Sequence, residues 1–310
     1  MQSSSGLSRW RPECSIVHMP ANKNRNKVIL VTGATGHQGG AALRHLRERG
    51  FSCRALTRDP AKPEVRKLLG HGVEFVKGDM EDPASLTRAL EEVHGVYAVQ
   101  TPFESGVEGE IRQGINLIDA AKRSRITHFV YSSVGSADQR TGIPHFDSKF
   151  RIEEHLRGTG LQFTIVRPVF FMENWLGMRD QIDSGSLAQP LGPGTHLQMI
   201  AVDDIGGMVA SVFEHPGKWQ GRAIELAGDE LSMTDLSAAF SRAGGREVEY
   251  RQVPWNEFES QAGPEIANMY RWFQDVGYHV DISGVRQEYP KLTSFDRWLN
   301  TNWHTAVRTA

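Results

Sequence analysis

A glycine-rich loop between an apolar run and a helical segment constrains this chain more than any other feature of its sequence. The apolar run is Val28–Val31, and the loop that follows it, Thr32–Gly40, carries glycines at positions 33, 36 and 39. A continuous apolar run that ends in such a loop is typical of a buried parallel strand. The first glycine permits a tight turn, the second lets a pyrophosphate approach the backbone, and the third lets helix and strand pack closely. The sequence therefore predicts a dinucleotide-binding loop, with a glycine turn that holds no ligand as the alternative.

The first half of the chain continues the same alternation of strands and helices. Further strands are predicted at 51–56, 73–76, 96–99, 128–131 and 163–166, with helical segments between them. Strands that alternate with helices at this spacing indicate a parallel sheet with right-handed crossovers and helices on both faces. The predicted fold class is α/β, a Rossmann fold with a doubly wound parallel sheet. Its ligand crevice is expected at the carboxyl ends of the strands.

The regular alternation stops after Pro168, which gives a predicted division of the chain. Strands are predicted at 197–202, 223–226 and 248–253, and a helix capped by Asp203 is predicted after the first of them. We expect a nucleotide-binding domain at 27–168, with its sheet completed by later segments, and a smaller α/β region at 169–310 that covers the crevice. The aromatic residues between Trp255 and Trp303 are interpreted as core.

Composition excludes several classes of protein. The 310 residues hold 35 Lys and Arg against 37 Asp and Glu, a net charge of −2, so direct nucleic-acid binding is not expected. No apolar run reaches the about 18–20 residues of a membrane-spanning helix. The two cysteines, Cys14 and Cys53, cannot build a disulfide framework or a zinc site by themselves, which favours a reducing, cytoplasmic location. No metal-ligand cluster and no serine-hydrolase motif is present, so no metal site is predicted.

The N-terminal segment Met1–Asn26 differs from the rest. It holds four basic residues and one acidic residue, a charge of 4 − 1 = +3: Arg9, Arg11, Lys23, Arg25 and Glu13. We interpret it as a disordered tail, or as the product of an upstream start codon with Met19 as the true start. A transit peptide is the alternative, because the segment is rich in serine and poor in acidic residues. A secretory signal is not expected, since the segment has no apolar h-region.

The end of the second predicted strand selects the type of dinucleotide. An acidic residue there would bind the ribose 2′-hydroxyl of NAD(H), but this chain has Arg58. The planar guanidinium suits a phosphate group, and Lys62 could add a second positive charge. NADP(H) is therefore the predicted cofactor, with a solvated surface arginine as the alternative for Arg58.

The next two predicted strands end in further candidate cofactor residues. Asp79 could accept a hydrogen bond from the adenine amino group, and Met80 could cover a face of the ring. Turn formation is the alternative role for Asp79, and both roles can hold together. Thr101 follows the fourth strand, where the backbone is expected to face the second half of the cofactor.

Several of these segments together resemble the NmrA-like family of atypical short-chain dehydrogenase/reductases, and most of all its redox-sensor branch. The segments are Thr32–Gly40, Thr57–Pro60, Gly78-Asp79, His145–Lys149 and Met172–Asn174. The resemblance extends from Val28 to the C-terminus. It implies an NADP-binding Rossmann domain and a small C-terminal domain with a cleft between them. It also implies cofactor contacts for Gly33, Thr35, Gly36, Gln38, Gly39, Arg58 and Lys149, with Glu173 and Asn174 near the nicotinamide.

The resemblance leaves two functions open. Some relatives sense the NADPH/NADP⁺ ratio, and others reduce quinones, dyes or aromatic compounds. A small-molecule substrate or a regulated protein partner is accordingly expected in the cleft, and a homodimer is left open. We prefer the sensor interpretation and keep an NADPH-dependent reductase as the alternative.

The catalytic residues bear on this choice. Typical relatives place a tyrosine four residues before a lysine on one helix face, where the lysine holds the ribose and lowers the tyrosine pKa. Here Lys149 is present, but His145 occupies the tyrosine position. An imidazole with an ordinary pKa of about 6.5 could donate a proton near neutrality. Ser133, after the fifth strand with Ser132, lies where the superfamily places a catalytic hydroxyl.

Overall fold

The structure, a computed structural model, describes residues 24–63, 65–66 and 72–303. Twelve strands lie in these ranges: β1 Val28–Val31, β2 Ser52–Thr57, β3 Glu74–Lys77, β4 Gly95–Ala98, β5 His128–Ser132, β6 Phe163–Pro168, β7 Phe170–Phe171, β8 Ser186–Gln189, β9 His196–Ile200, β10 Ala223–Leu226, β11 Asp229–Ser232 and β12 Glu249–Gln252. The six strands predicted in the first half are all present, with bounds that shift by one or two residues.

Twelve α-helices are assigned within the same ranges. They are α1 His37–Glu48, α2 Pro83–Ala89, α3 Pro102–Arg123, α4 Pro144–Gly158, α5 Arg179–Asp183, α6 Val202–Glu214, α7 Pro216–Trp219, α8 Met233–Gly244, α9 Trp255–Ala262, α10 Pro264–Asp275, α11 Ile282–Glu288 and α12 Phe295–Asn302. Short 3₁₀ helices occupy Ala137–Gln139 and Met172–Met178. The helix predicted after Asp59-Pro60 runs into residues outside the described ranges.

The central sheet has seven parallel strands in the order β10-β6-β5-β4-β1-β2-β3. Strand β1 pairs with β2 on one side and with β4 on the other, so Val31 lies beside both Ala55 and Tyr97. The strand order reverses at this point, and parallel α/β sheets bind ligands in the crevice where it does. The predicted Rossmann fold is confirmed, and the glycine loop leaves β1 at the reversal point.

The two faces of the sheet have separate cores. One core lies under α2, α3 and α4 and includes Leu30, Leu117 and Phe129. The other joins α1 to α6 and continues into the C-terminal aromatic residues as far as Trp303. Helices α1 and α6 approach so closely that a Cβ on Gly206 would lie 2.5 Å from the Ala41 carbonyl carbon. The aromatic residues therefore form core, as the sequence predicts.

The segment after Pro168 adds two small sheets, with the orders β11-β9-β7 and β12-β8. Strand β10 pairs with β6 and completes the large sheet at its edge. Whether the chain divides at residue 168 stays a prediction. At the other end, Asn24 is buried, and its Nδ2 donates to the Arg49 carbonyl at 3.0 Å. Most of the predicted tail, residues 1–23, lies outside the described residues.

The predicted cap at Asp203 is wrong. Helix α6 begins at Val202 with Ala201 as its N-cap, and Glu173 Oε2 accepts from the Val202 N–H at 3.0 Å. The Glu173 carboxylate, although distant in sequence, therefore caps the amino end of α6. Asp203 instead binds His45 and Arg44 on α1 at 3.0 and 2.9 Å, and these hydrogen bonds lower its pKa to about 2.

The described helices include none that is both long and apolar enough to cross a membrane. The described residues also include no cluster of His, Cys, Asp and Glu side chains that could hold a metal ion.

The buried His128 predicts a pH dependence of stability. Its Nε2 lies 2.9 Å from Thr164 Oγ1, and burial, together with the neighbouring His94, lowers the pKa of His128 to about 4. The unfolded chain binds this proton near pH 6.5 and the folded chain only near pH 4, so stability falls as the pH falls between them. We expect the titration of His128 to lower the free energy of unfolding by about 2 kcal/mol when the pH falls from 7 to 5.

Urea unfolding at pH 7 and pH 5 checks this expectation. His128→Gln should lose stability at both pH values but show a pH difference smaller than wild type by about 2 kcal/mol. The exposed His279 provides the control, since His279→Gln should keep the wild-type pH difference. Equal pH differences in wild type and His128→Gln would contradict the assignment.

Candidate functional site

The glycine loop is held by a contact that only glycine allows. Gly33 has a φ of +60°, and the Gly36 N–H donates to its carbonyl at 2.9 Å. A Cβ on Gly39 would lie 2.2 Å from the same Gly33 oxygen, well inside contact distance, and one on Gly36 would lie 3.3 Å from it. The loop therefore folds back onto the start of α1, and the backbone stays bare where a ligand would approach.

Helix α1 presents its amino end at this loop. Gly36 is the N-cap, and within the described part of the chain no side chain caps it. The first N–H groups of a helix lack internal partners and carry a partial positive charge, which suits a phosphate. Gln38 turns its side chain inward, where Oε1 accepts from Ser132 Oγ at 2.6 Å and from the Tyr97 hydroxyl at 3.3 Å. Its backbone remains at the helix end, so the loop fits a pyrophosphate group.

A cavity of about 460 Å³ opens beside this loop at the carboxyl ends of β1 to β4. Six residues that the sequence singles out as cofactor contacts line it: Gly33, Thr35, Arg58, Asp79, Met80 and Thr101. The structure therefore brings together in one cleft residues that are spread over about seventy positions of the sequence.

Arg58 has a carboxylate partner that the sequence did not reveal. Its Nη2 lies 2.7 Å from Oε2 of Glu104, in the first turn of α3, and both side chains are 63% exposed. Glu104 lines the same cavity. Nothing in the sequence links positions 58 and 104, because only the order of strands β4-β1-β2 brings the two segments together.

The two residues expected at the adenine form turn and cavity contacts. Asp79 Oδ1 accepts from the Glu81 N–H at 2.9 Å, which is the turn role that the sequence left open. Met80 Sδ lies 3.6 Å from Gln100 Nε2. Thr101 is the N-cap of α3, with Oγ1 3.4 Å from the Phe103 nitrogen. All three positions line the cavity, and the side chains of Asp79 and Thr101 also accept from backbone N–H groups beside it.

Lys149 is held in place by two hydrogen bonds. Its Nζ donates to the Gln100 carbonyl at 3.1 Å and to Glu110 Oε1 at 2.8 Å. Glu110 is fully buried and also accepts from Ser148 Oγ. The lysine charge is thus paired inside the protein, on the strand-end side where the family resemblance places a ribose. Glu110 is a second site residue that the sequence reasoning missed.

His145 lies one helical turn before Lys149 and is bound from the C-terminal half of the chain. Its Nδ1 lies 2.7 Å from Oε1 of Glu265, in the first turn of α10. The imidazole ring also lies 6.3 Å from the ring of Phe103, between centroids. His145 therefore connects the start of α3 with α10, and a carboxylate on Nδ1 would orient its ring.

The remaining predicted residues are not all in the cleft. Ser133 is buried, and its Oγ has no hydrogen-bond partner among the described residues. Asn174 is exposed and lines neither this cavity nor the next one. That second cavity, of about 540 Å³, shares Thr35 with the first and is also lined by Glu173. Burial raises the pKa of Glu173, although the Trp298 Nε1–H and the Val202 N–H both donate to its carboxylate.

The chain is similar in sequence to proteins of a known family. The sequence model of the NmrA-like family matches residues 25–299. The chain belongs to the NmrA-like family. An NAD(P)H azoreductase of Xenophilus azovorans is 34% identical over 275 residues, which are 86% of this chain and 93% of that protein.

Two solved structures of NmrA-like fold superpose well on the chain. An NADPH-dependent quinone oxidoreductase from Escherichia coli, complexed with NADPH, is 25% identical with a TM-score of 0.76, covering 89% of this chain and 99% of that one. NmrA, a negative transcriptional regulator solved with NADP, shares the fold at 24% identity and a TM-score of 0.74, covering 89% and 94%.

Adjacent glycines in α1 provide a matched test of the loop. Gly39→Ala forces a Cβ against the Gly33 carbonyl, whereas a Cβ on Gly40 meets only an ordinary 3.5 Å contact with the Ala34 oxygen. We expect Gly39→Ala to lower the free energy of unfolding by about 2–4 kcal/mol. Gly40→Ala should raise it by up to about 1 kcal/mol, since alanine favours helix interiors. Urea unfolding of the two variants measures both effects, and equal effects would contradict the close packing of the loop.

Proposed function

We propose that this protein binds NADP(H) in the cleft beside the glycine loop and acts as a sensor of the NADPH/NADP⁺ ratio. The main support for this cofactor is the lining of the cleft. The glycine-loop residues Gly33 and Thr35 line one cavity together with Arg58, and the N-cap of α1, Gly36, lines the neighbouring cavity, which shares Thr35 with the first. In such a cavity α1 would bind the pyrophosphate and Arg58 would bind the 2′-phosphate.

The lining residues give each part of the cofactor a partner. Asp79 and Met80 would receive the adenine, while Thr101 and Lys149, whose Nζ donates to the carbonyl of the lining residue Gln100, would contact the nicotinamide ribose. Gly33, Thr35, Gly36, Gln38 and Gly39 would form the phosphate site, and Asn174 would have to move to contribute. The named relatives that are described with NADPH, NADP or NAD(P)H support this cofactor class.

The sensor proposal rests on how the groups beside the cofactor site are used. The standard proton-donating tyrosine is replaced by His145, which is bound to Glu265 of α10. A change at the cofactor would therefore reach the C-terminal region through one ionisable contact. A sensor must bind its two ligands with different affinity in its two states. We propose that the His145–Glu265 contact differs between them.

The thiol in the described part of the chain does not provide an alternative redox response. Cys53 is free and buried, and burial raises its pKa to about 12, despite the nearby Arg47. Reactive cysteines need an accessible thiolate at neutral pH, which this residue does not supply. Cys14 lies outside the described residues. The proposed redox response is accordingly assigned to the bound nucleotide.

A second candidate function is an NADPH-dependent reductase of quinones, dyes or other aromatic compounds. Two observations favour it: the azoreductase relative at 34% identity, and the His145–Glu265 pair at 2.7 Å. The nicotinamide would supply the hydride to such an acceptor. His145 would donate the accompanying proton, with Glu265 stabilising the charged imidazole and orienting its ring.

Arg58→Ala tests the cofactor assignment. Loss of a charge-assisted contact to phosphate should weaken NADPH binding by about 10- to 100-fold, because such bonds contribute about 1.5–3 kcal/mol. NADH affinity should change by less than about threefold, since NADH has no 2′-phosphate. Isothermal titration calorimetry measures both ligands. Arg242→Ala, which breaks a similarly exposed ion pair with Asp296 far from the cleft, is the matched control. Equal losses for NADPH and NADH would exclude the phosphate role.

Turnover separates the two candidate functions. Purified protein is mixed with NADPH and a panel of quinones, azo dyes and triphenylmethane dyes, and nicotinamide absorbance is followed. For a sensor we expect turnover well below about 1 per second with every acceptor, and NADPH and NADP⁺ affinities that differ at least about fivefold. Turnover of about 1 per second or more would support the reductase instead. In that case His145→Gln should lower the rate about 10²-fold or more, while NADPH affinity is kept.

A further inference from the structure

The first turn of α3 is structurally separate from the rest of that helix. Gly106 has a φ of +72° and a ψ of 172°, so the backbone leaves the helical conformation there and resumes it afterwards. Residues 101–106, which we call the strap, thus form a single capped turn between β4 and the main part of α3. A glycine with positive φ is the residue type expected at such a break.

The strap contacts two groups of the candidate site. Glu104 binds Arg58 at the end where the 2′-phosphate is proposed, with Nη2 and Oε2 2.7 Å apart. Phe103 is 80% exposed and lies against the ring of His145, the residue one helical turn before Lys149, with 6.3 Å between centroids. A movement of this short turn would therefore change the surroundings of Arg58 and of His145 together.

Glu104 and a 2′-phosphate cannot share Arg58 without cost. Both are anions that seek the same guanidinium, and both would lie in the cavity that Arg58, Thr101 and Glu104 line. The present ion pair is largely exposed on both sides, and exposed pairs of this kind are weak and exchange readily. A phosphate with two charges and three acceptor oxygens would displace a single carboxylate from the guanidinium.

We propose that Glu104 is a specificity-determining residue that competes with the nucleotide 2′-phosphate for Arg58, so that a 2′-phosphorylated adenine nucleotide releases the strap. This inference rests on the proposed function and deepens it. Nucleotides without a 2′-phosphate leave the Arg58–Glu104 pair intact. Because Phe103 of the strap contacts His145, the surroundings of His145 then depend on whether the bound nucleotide carries that phosphate.

Two small nucleotides isolate the phosphate from the nicotinamide. Adenosine 2′,5′-bisphosphate and AMP differ only in the 2′-phosphate, and calorimetry measures their affinity for the full chain. We expect Glu104→Gln to raise the affinity for the bisphosphate by about three- to tenfold and to change AMP affinity by less than twofold. A loss of AMP affinity would overturn the proposal, because it would make Glu104 a ligand of the ribose hydroxyls.

A matched variant controls for net charge. Glu108 lies one turn further along α3 and pairs with Arg151 at 3.1 Å, so Glu108→Gln removes the same charge without freeing Arg58. It should change bisphosphate affinity by less than twofold. In an Arg58→Ala background, Glu104→Gln should likewise change it by less than twofold. An equal gain in Glu108→Gln, or a gain that persists without Arg58, would overturn the competition in favour of a general charge effect.

Crystal structures of the two complexes test release directly. With the bisphosphate we expect Arg58 to contact the 2′-phosphate and Glu104 to lie more than 4 Å from the guanidinium, whereas with AMP the pair should stay intact. An unbroken pair in both complexes would overturn the inference alone. Failure of the wild-type protein to bind the bisphosphate or NADPH would instead overturn the proposed function on which the inference rests.

Discussion

The close approach of α1 to the turn before it is the constraint on which the site depends. With no Cβ on Gly39, the start of the helix rests on the Gly33 carbonyl, and the amino end of α1 points at the reversal of strand order between β1 and β4. The helix is packed in turn on α6, where Gly206 allows a similar approach. Both contacts are made by backbone, so neither can relax by moving a side chain. The site is therefore built into the layers of the fold, and the side chains around it select what it binds.

Three basic side chains in or beside the cleft have a carboxylate partner, and the partners differ in burial. Arg58 is paired with the exposed Glu104, Lys149 with the fully buried Glu110, and His145 with the partly exposed Glu265. A buried partner fixes its cation, because separating the two would leave an unpaired charge inside the protein. An exposed partner can be exchanged for a ligand at little cost. On this basis Lys149 is held in a fixed position, whereas Arg58, which lines the cavity beside the exposed Lys62, can exchange its carboxylate for a phosphate.

The sequence predicted the parts of the fold that depend on local patterns. Apolar runs gave the strands of the large sheet, and the glycine spacing located the turn that α1 requires, because both signals lie in neighbouring residues. At Asp203 the local pattern predicted the wrong role. A capping residue type stood near the start of α6, but Glu173, 29 residues earlier than Val202, took that role, and Asp203 bound α1. The roles predicted for the cofactor-binding residues, Asn174 among them, and for Ser133 as a catalytic hydroxyl stay predictions, since each depends on a bound ligand.

The amino-acid sequence by itself determined the α/β class, the glycine loop and the presence of an arginine after the second strand, because each is written in consecutive residues. Only the tertiary structure decided which acidic residues face that loop and its cations. Glu104, Glu110 and Glu265 are ordinary surface-type residues in the sequence, and they become site residues because the sheet order and the packing of α10 bring them to Arg58, Lys149 and His145. Pairing between distant charges depends on distance in space, and no local pattern encodes that distance.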